Sequence, residues 1–321
     1  MNKILATCLA IGVMTAGACA QSVPVDSVLP SYKPVQGVSG TVKSIGSDTL
    51  NNVMAGWMEG FRKLYPNVHT EMEGKGSSTA PPALIEGQAD FGPMSREMKG
   101  DEIDKFEKKF GYKPTALRVG VDALAVFVHK DCPINSISLD DLKRVFSVDG
   151  PQMTWGDLGV KNPEWASKPI SLYGRNSASG TYGYFKEHAL GNKDFKATVK
   201  EQPGSSGVVQ SVASDKYAIG YSGIGYRTAD VKPLKIAPRK GAPAIEPTAV
   251  NAYSGDYPIA RFLLVYVNYK PGSQLDPLRA EFVKMVFSQT GQELVVKDGF
   301  YPVTAEMAAT DLKTVGLPSK F

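Results

Sequence analysis

Ile170-Ser171-Leu172-Tyr173-Gly174-Arg175-Asn176-Ser177-Ala178-Ser179-Gly180-Thr181 decides how this chain is read. Ile170 to Tyr173 is an apolar strand, Arg175 follows it, and Ser179-Gly180-Thr181 opens a helix that runs to Leu190. Free N–H groups at a helix start point outward, and the helix dipole favours an anion there. Ser and Thr add hydroxyl donors, and Gly lets the backbone approach closely. A guanidinium beside them can hold two oxygens of a tetrahedral anion at once.

The same device recurs along the chain. It stands at Gly46-Ser47-Asp48-Thr49, at Gly76-Ser77-Ser78-Thr79 and, in weaker form, at Gly204-Ser205-Ser206-Gly207. One instance alone is an ordinary N-cap, because Ser and Thr are preferred there. Several instances make a site only if the fold brings them together. A second arginine, Arg96, follows Met94-Ser95 after a short strand at Phe91, and its plain alternative is a surface ion pair.

Outward from these turns, strands alternate with helices. Ser39 to Gly46 is a strand; Leu50, Val53, Met54, Trp57, Phe61 and Leu64 recur at helical spacing, and Pro66 stops that helix. Val68 to Met72 is a strand, and Ser77 to Gly87 a helix with Pro81 and Pro82 in its first turn. Asp101 to Phe110 is an amphipathic helix, and Leu117 to His129 a long apolar strand. Ser138-Leu139-Asp140-Asp141 is a capping box that opens a helix to Phe146. A helix from Ser205 to Ser214 and a strand from Ala218 to Tyr221 follow. Residues 231–258 read as hairpins and loops, Arg261 to Asn268 as a second long apolar strand, Asp276 to Gln289 as a helix and Gln292 to Lys297 as a final short one. This alternation predicts an α/β architecture.

Composition fits an ordinary folded chain. The 321 residues are 42% hydrophobic and 21% charged, enough for two domains with cores of their own. The net charge of +4 is spread along the chain without a basic run, which argues against a nucleic-acid surface. No G-x-G-x-x-G follows a strand, and no Walker loop, H-E-x-x-H or G-x-S-x-G is present. His129 and Cys132 read as a strand end and a loop rather than as metal ligands, so no cofactor or metal is expected.

Lys3, the apolar run Ile4–Met14 and the small residues up to Ala20 read as an export leader, residues 1–20. Ala18-Cys19-Ala20 is an A-x-A cleavage site, and Ala16-Gly17-Ala18-Cys19 also resembles a lipoprotein box with Cys19 as the lipid-bearing residue. The expected location is periplasmic or secreted, with lipid anchoring as the alternative.

Four elements stand in order: Gly76-Ser77-Ser78-Thr79, Asp90-Phe91-Gly92-x-x-Ser95-Arg96, Arg175-x-x-x-Ser179-Gly180-Thr181 and Ala218-Ile219-Gly220-Tyr221. Together they resemble the periplasmic phosphate-binding proteins (PstS type) of bacterial phosphate ABC transporters, over roughly residues 38 to 305. Asp298-Gly299-Phe300-Tyr301-Pro302-Val303 looks like that family's closing segment. The resemblance implies a two-lobed type II periplasmic binding protein fold. Its lobes would be 38–122 with 255–321, and 123–254, hinged by two strands near 117–129 and 259–269. It implies inorganic phosphate in the cleft, permease subunits as partners, a monomer and no catalysis. The rivals are a secreted phosphatase and an adhesion or sensor protein on the same scaffold.

Carried over by motif, Arg175, Ser179, Gly180 and Thr181 would bind phosphate from the second lobe, and Ser77, Thr49 and the N–H of Leu50 from the first. Ser95 and Arg96 join them from the turn after Phe91, with Ser47, Asp48 and Ser78 as flanking candidates. Some family members carry an Asp after the Phe-Gly that accepts the phosphate proton. This chain has Ser95-Arg96 there, which leaves Asp48 and Asp122 as candidate acceptors. Asp122 lies within an apolar strand, where an unpaired carboxylate is costly.

Overall fold

The computed structural model describes residues 23–321. The proposed leader, with both of its processing sites, lies outside the described residues. The first run of elements is β1 (Gly40–Ile45), α1 (Asn51–Leu64), β2 (Val68–Glu73), α2 (Ala80–Ile85), β3 (Phe91–Met94), α3 (Gly100–Phe110) and β4 (Thr115–Ala123). The apolar stripe on α1 buries Val53, Met54, Trp57 and Phe61 against the sheet, as the spacing requires. Ser77–Thr79 forms a 3-10 turn leading into α2, whose first turn carries the prolines.

β5 (Ala125–His129), β6 (Ser136–Ser138), α4 (Leu139–Phe146), α5 (Pro163–Ala166), β7 (Ser171–Arg175), α6 (Gly180–His188), β8 (Lys200–Gln202), α7 (Ser205–Ser214), β9 (Ala218–Ser222), β10 (Val231–Pro233) and β11 (Lys235–Ala237) follow. Ser138 caps α4 by accepting from the Asp141 N–H at 3.0 Å. The chain ends with α8 (Ala249–Ser254), β12 (Ala260–Val267), α9 (Pro277–Val286), α10 (Gln289–Lys297) and α11 (Ala305–Thr314).

Two mixed five-stranded sheets result, ordered β2-β1-β3-β12-β4 and β10-β5-β9-β7-β8, with β11 and β6 as a small parallel pair. In the first sheet β12 runs antiparallel to both β3 and β4. In the second, β7 lies parallel to β8 and β9, while β5 is antiparallel to β9 and β10. In both sheets the Gly- and Ser-rich turns follow the C-terminal ends of parallel strands, the edge where open α/β sheets place their ligands.

Several sequence expectations change here. The apolar stretch Leu117–His129 is two strands in two sheets, divided at Leu124, because Leu124 N–H donates to Ile259 O and Leu124 O accepts from Tyr257. Continuous hydrophobicity cannot mark that break, since β4 and β5 are both deeply buried. The other expected hinge strand, β12, pairs only within the first sheet, and the chain comes back to that sheet between β11 and α8. α8 falls in a stretch read as loop and assigned to the second lobe, yet it packs against β4 and β12. The helix expected over 276–289 stops at Val286. Ser288 then caps a separate α10, and α11 had no counterpart in the sequence reading.

Candidate functional site

The turns rich in Gly, Ser and Thr meet between the two sheets. From the first sheet come Ser47, Asp48 and Thr49 after β1, Ser77 and Ser78 after β2, and Ser95 after β3. From the second come Arg175 at the end of β7, the start of α6, and the start of α7. Ser47, Thr49, Ser77, Ser95, Arg175, Ser179 and Thr181 are all buried, so each polar atom needs a partner.

Hydroxyls supply most of those partners. Ser95 Oγ lies 3.1 Å from Ser47 Oγ and 3.3 Å from Ser77 Oγ, and Ser95 N–H donates to Ser77 Oγ at 3.0 Å. Across the sheets, Thr49 Oγ1 and Thr181 Oγ1 are 2.9 Å apart. Ser78 N–H donates to Ala178 O at 3.1 Å, and Tyr226 donates to the carbonyls of Asp48 and Thr49. The lobes are therefore closed on each other.

Two glycines permit this approach. A Cβ on Gly180 would stand 2.2 Å from Ser77 Oγ and 2.7 Å from Ser95 Oγ. Gly76 adopts φ +127°, and a Cβ there would lie 2.5 Å from Ala178 O.

Ser179 caps α6: its Oγ accepts from Thr181 N at 3.1 Å and Tyr182 N at 3.4 Å. Those bonds use its lone pairs and leave its own proton to donate. Leu50 is buried at the N-cap of α1, next to Thr49 of the cluster, and no side chain caps that helix start.

Arg175 is 2% exposed. Its Nη1 donates to Ser205 Oγ at 2.7 Å, its Nη2 stands 3.2 Å from Asp48 Oδ2, and its Nε has no partner. Burial pulls its pKa down, and the neighbouring Asp48 carboxylate opposes that pull. Asp48 Oδ2 also accepts from Ser205 N–H at 2.8 Å, so one carboxylate of the first lobe holds both a guanidinium and a helix start of the second.

The other charged candidates sit differently. Arg96 donates to both oxygens of Glu102, at 2.7 and 2.8 Å, and to Glu97 O and Ser78 Oγ. It is the ion pair that the sequence left open, formed with the first turn of α3. Asp122 is fully buried with both oxygens engaged: Oδ1 accepts from Ile224 N–H at 2.9 Å, and Oδ2 takes Nε and Nη2 of Arg261 at 3.0 and 2.8 Å.

Arg261 escaped the sequence reading. It faces Asp122 in the β12–β4 register. The signal was present, because Asp122 and Arg261 are buried charges within apolar strands and such charges must pair, while Arg118 of the same β4 takes Asp311. Tyr226 was also missed, since no local pattern connects it to Asp48. Elsewhere, the His129–Cys132 segment forms a turn in which Cys132 is buried and its thiol pKa pushed up to about 11.

A family model described as a PBP superfamily domain matches residues 33–290. The phosphate-binding protein PstS of Pseudomonas aeruginosa is 52% identical over 317 residues, covering 97% of either chain. The phosphate-binding protein PstS of Staphylococcus haemolyticus is 31% identical, covering 85% of this chain and 84% of its own. Among solved structures, a Clostridium perfringens protein with bound phosphate superposes with a TM-score of 0.69 at 24% identity, over 83% of this chain and all of its own. An ABC-type phosphate transport receptor from Vibrio cholerae superposes with a TM-score of 0.65 at 20% identity, over 82% of this chain and all of its own. The two structures share the fold, and the sequence relatives define the group: this chain belongs to the PstS family of phosphate-binding proteins, within the PBP superfamily.

Proposed function

We propose that this protein captures inorganic phosphate between its lobes, outside the cytoplasm, and hands it to the permease of a phosphate ABC importer. One observation carries the reading: hydroxyls from both lobes, the α1 and α6 helix starts and a buried arginine with an unpartnered Nε converge on one place. The relatives' names point the same way.

Within that reading Arg175, Ser179, Gly180 and Thr181 bind from the second lobe, and Thr49, Leu50, Ser77 and Ser95 from the first. The fixed charges of the cluster cancel, Arg175 against Asp48 and Arg261 against Asp122. A phosphate is then held by oriented N–H and O–H dipoles in a dry site, where each bond is stronger than in water. Both Asp122 oxygens are engaged, so the geometry favours Asp48 as the carboxylate that senses the phosphate proton. Arg96, committed to Glu102, acts from the rim.

Binding without catalysis fits the same geometry. None of His69, His129 and His188 takes part in the cluster's hydrogen bonds, and its carboxylates are occupied by arginines and backbone N–H groups. Among the described residues, no helix is long and apolar enough to cross a membrane. Delivery as a monomer, free or anchored through Cys19, completes the proposal.

Titration calorimetry on phosphate-stripped protein tests it, with phosphate, arsenate and sulfate compared. Tight uptake of phosphate and arsenate with weak uptake of sulfate is expected. Equal affinity for sulfate would overturn the assignment, and hydrolysis of a chromogenic phosphate ester by clean protein would overturn the purely binding role.

A further inference from the structure

Arg261 touches more of the site than either arginine picked out by motif. Its side chain is 2% exposed and every guanidinium nitrogen is used. Nε and Nη2 donate to Asp122 Oδ2, Nη1 donates to Ser95 O at 2.7 Å, and Nη2 donates to Thr181 Oγ1 at 2.9 Å. Asp122 and Ser95 belong to the first lobe, and Thr181 opens α6 on the second. One planar fork therefore joins a first-lobe carboxylate and turn to a hydroxyl that crosses the cleft.

We propose that Arg261 is a positioning residue for the anion site, fixing the Thr181 hydroxyl as an outward donor when the lobes close; this rests on the phosphate-binding reading above. A guanidinium has donors and no acceptor. With one Thr181 lone pair occupied by Nη2, the hydroxyl proton must point elsewhere. The structure leaves Thr49 Oγ1, at 2.9 Å, on that side. An anion oxygen arriving between the lobes takes up the same proton. Nη1 is occupied by the Ser95 carbonyl, a bond within the first lobe.

Charge is not the contribution. Asp122 neutralises Arg261 at salt-bridge distance, so the guanidinium adds little net field at the cleft. Its effect is direction. Without the fork, Thr181 is free to turn its proton toward the Asp122 carboxylate, and the site loses a donor. The bond to Thr181 crosses the cleft, so it also favours the closed form.

A double-mutant cycle read by calorimetric titration with inorganic phosphate tests this. The variants are Arg261→Lys, which keeps Asp122 neutralised but lacks the planar fork, Thr181→Val, and the two combined. Thr181→Val should weaken phosphate binding about tenfold or more, as a lost hydrogen bond to a charged group does. Arg261→Lys should cost about fivefold to tenfold. The combined variant should bind no more weakly than the worse single one, because both remove the same donor. A merely structural Arg261 would lower the melting temperature in both backgrounds, and its loss would multiply with that of Thr181→Val. Multiplied losses, or an unchanged affinity in Arg261→Lys, overturn the proposal alone. If Arg261→Lys melts below assay temperature, the uncharged pair Arg261→Gln with Asp122→Asn takes its place in the cycle. A parent protein that takes up no phosphate overturns the underlying reading and the proposal with it.

Discussion

Arg175 and Arg96 begin from matching positions and end with different roles. Arg175 ends a strand and Arg96 comes two residues after one, each has serines close by, and each is largely buried. Arg96 meets Glu102, which reaches back from the first turn of α3 and takes both ends of the guanidinium. Arg175 has no such neighbour on its own lobe. Its carboxylate, Asp48, comes from across the cleft, touches a single nitrogen and leaves Nε free. A guanidinium closed off by a local, bidentate carboxylate stabilises its own turn. One held loosely across a cleft retains capacity for a ligand and reports whether the cleft is shut.

Removing each arginine tests that contrast most directly. Arg175→Ala should weaken phosphate binding at least tenfold, since charge-assisted bonds contribute about 1.5–3 kcal/mol each and 1.4 kcal/mol is a decade. Unchanged affinity in a well-folded variant would place the anion elsewhere. Gly180→Val comes next. Its side chain would collide with Ser77 and Ser95, so the lobes should stay apart; about a tenfold loss of affinity is expected, and small-angle scattering should show no compaction on adding phosphate.

A smaller effect separates the two carboxylates. Asp48→Asn should raise sulfate affinity relative to phosphate severalfold, roughly half to one kcal/mol, while Asp122→Asn should chiefly lower the melting temperature. Competition binding and thermal melts read the two outcomes, and the reverse pattern would exchange the roles assigned here. Arg96→Ala should leave phosphate affinity within about twofold while destabilising the first lobe by about 1–3 kcal/mol, because Glu102 loses its partner. A tenfold loss of affinity would bring Arg96 back into the site and erase the contrast.

The least effect concerns pH. Asp298, at the C-terminus of α10, has a buried oxygen without a partner, and burial pushes its pKa up to about 6. A carboxyl with a raised folded pKa holds its proton in the folded state after the unfolded chain has released it. Stability from this group therefore falls as pH rises from about 4 to about 6 and is level above that. Asp298→Asn should remove that slope, so the variant's melting temperature should gain on the parent's between those limits. A constant difference across the range would show that Asp298 titrates as an ordinary carboxylate.

Much of this molecule could be read one residue at a time. The turns that open α1, α2, α6 and α7 were each legible from their runs of Gly, Ser and Thr, although only Ser179 of α6 caps its helix through its hydroxyl and the other three starts have no side-chain cap. Helices with a clear apolar stripe, such as α1 and α3, also came through. α8 and α11 went unread although Thr248 and Thr304 cap them through their hydroxyls, so a local signal was present at both. The break at Leu124 was hidden, because two buried strands in different sheets look like one apolar run.

The sequence by itself determined the chemistry on offer: an α/β chain, several helix starts rich in hydroxyls, one arginine beside Ser-Gly-Thr, and charges at Asp122 and Arg261 within apolar strands that required partners. Tertiary structure alone decided which partners they took. Arg96 went to Glu102 and out of the cluster, Asp122 went to Arg261, and Asp48 crossed the cleft to Arg175. The reason is physical: caps and stripes depend on neighbours within a few residues, whereas buried charges are satisfied by whichever opposite charge the fold brings within about 3 Å, however distant in sequence.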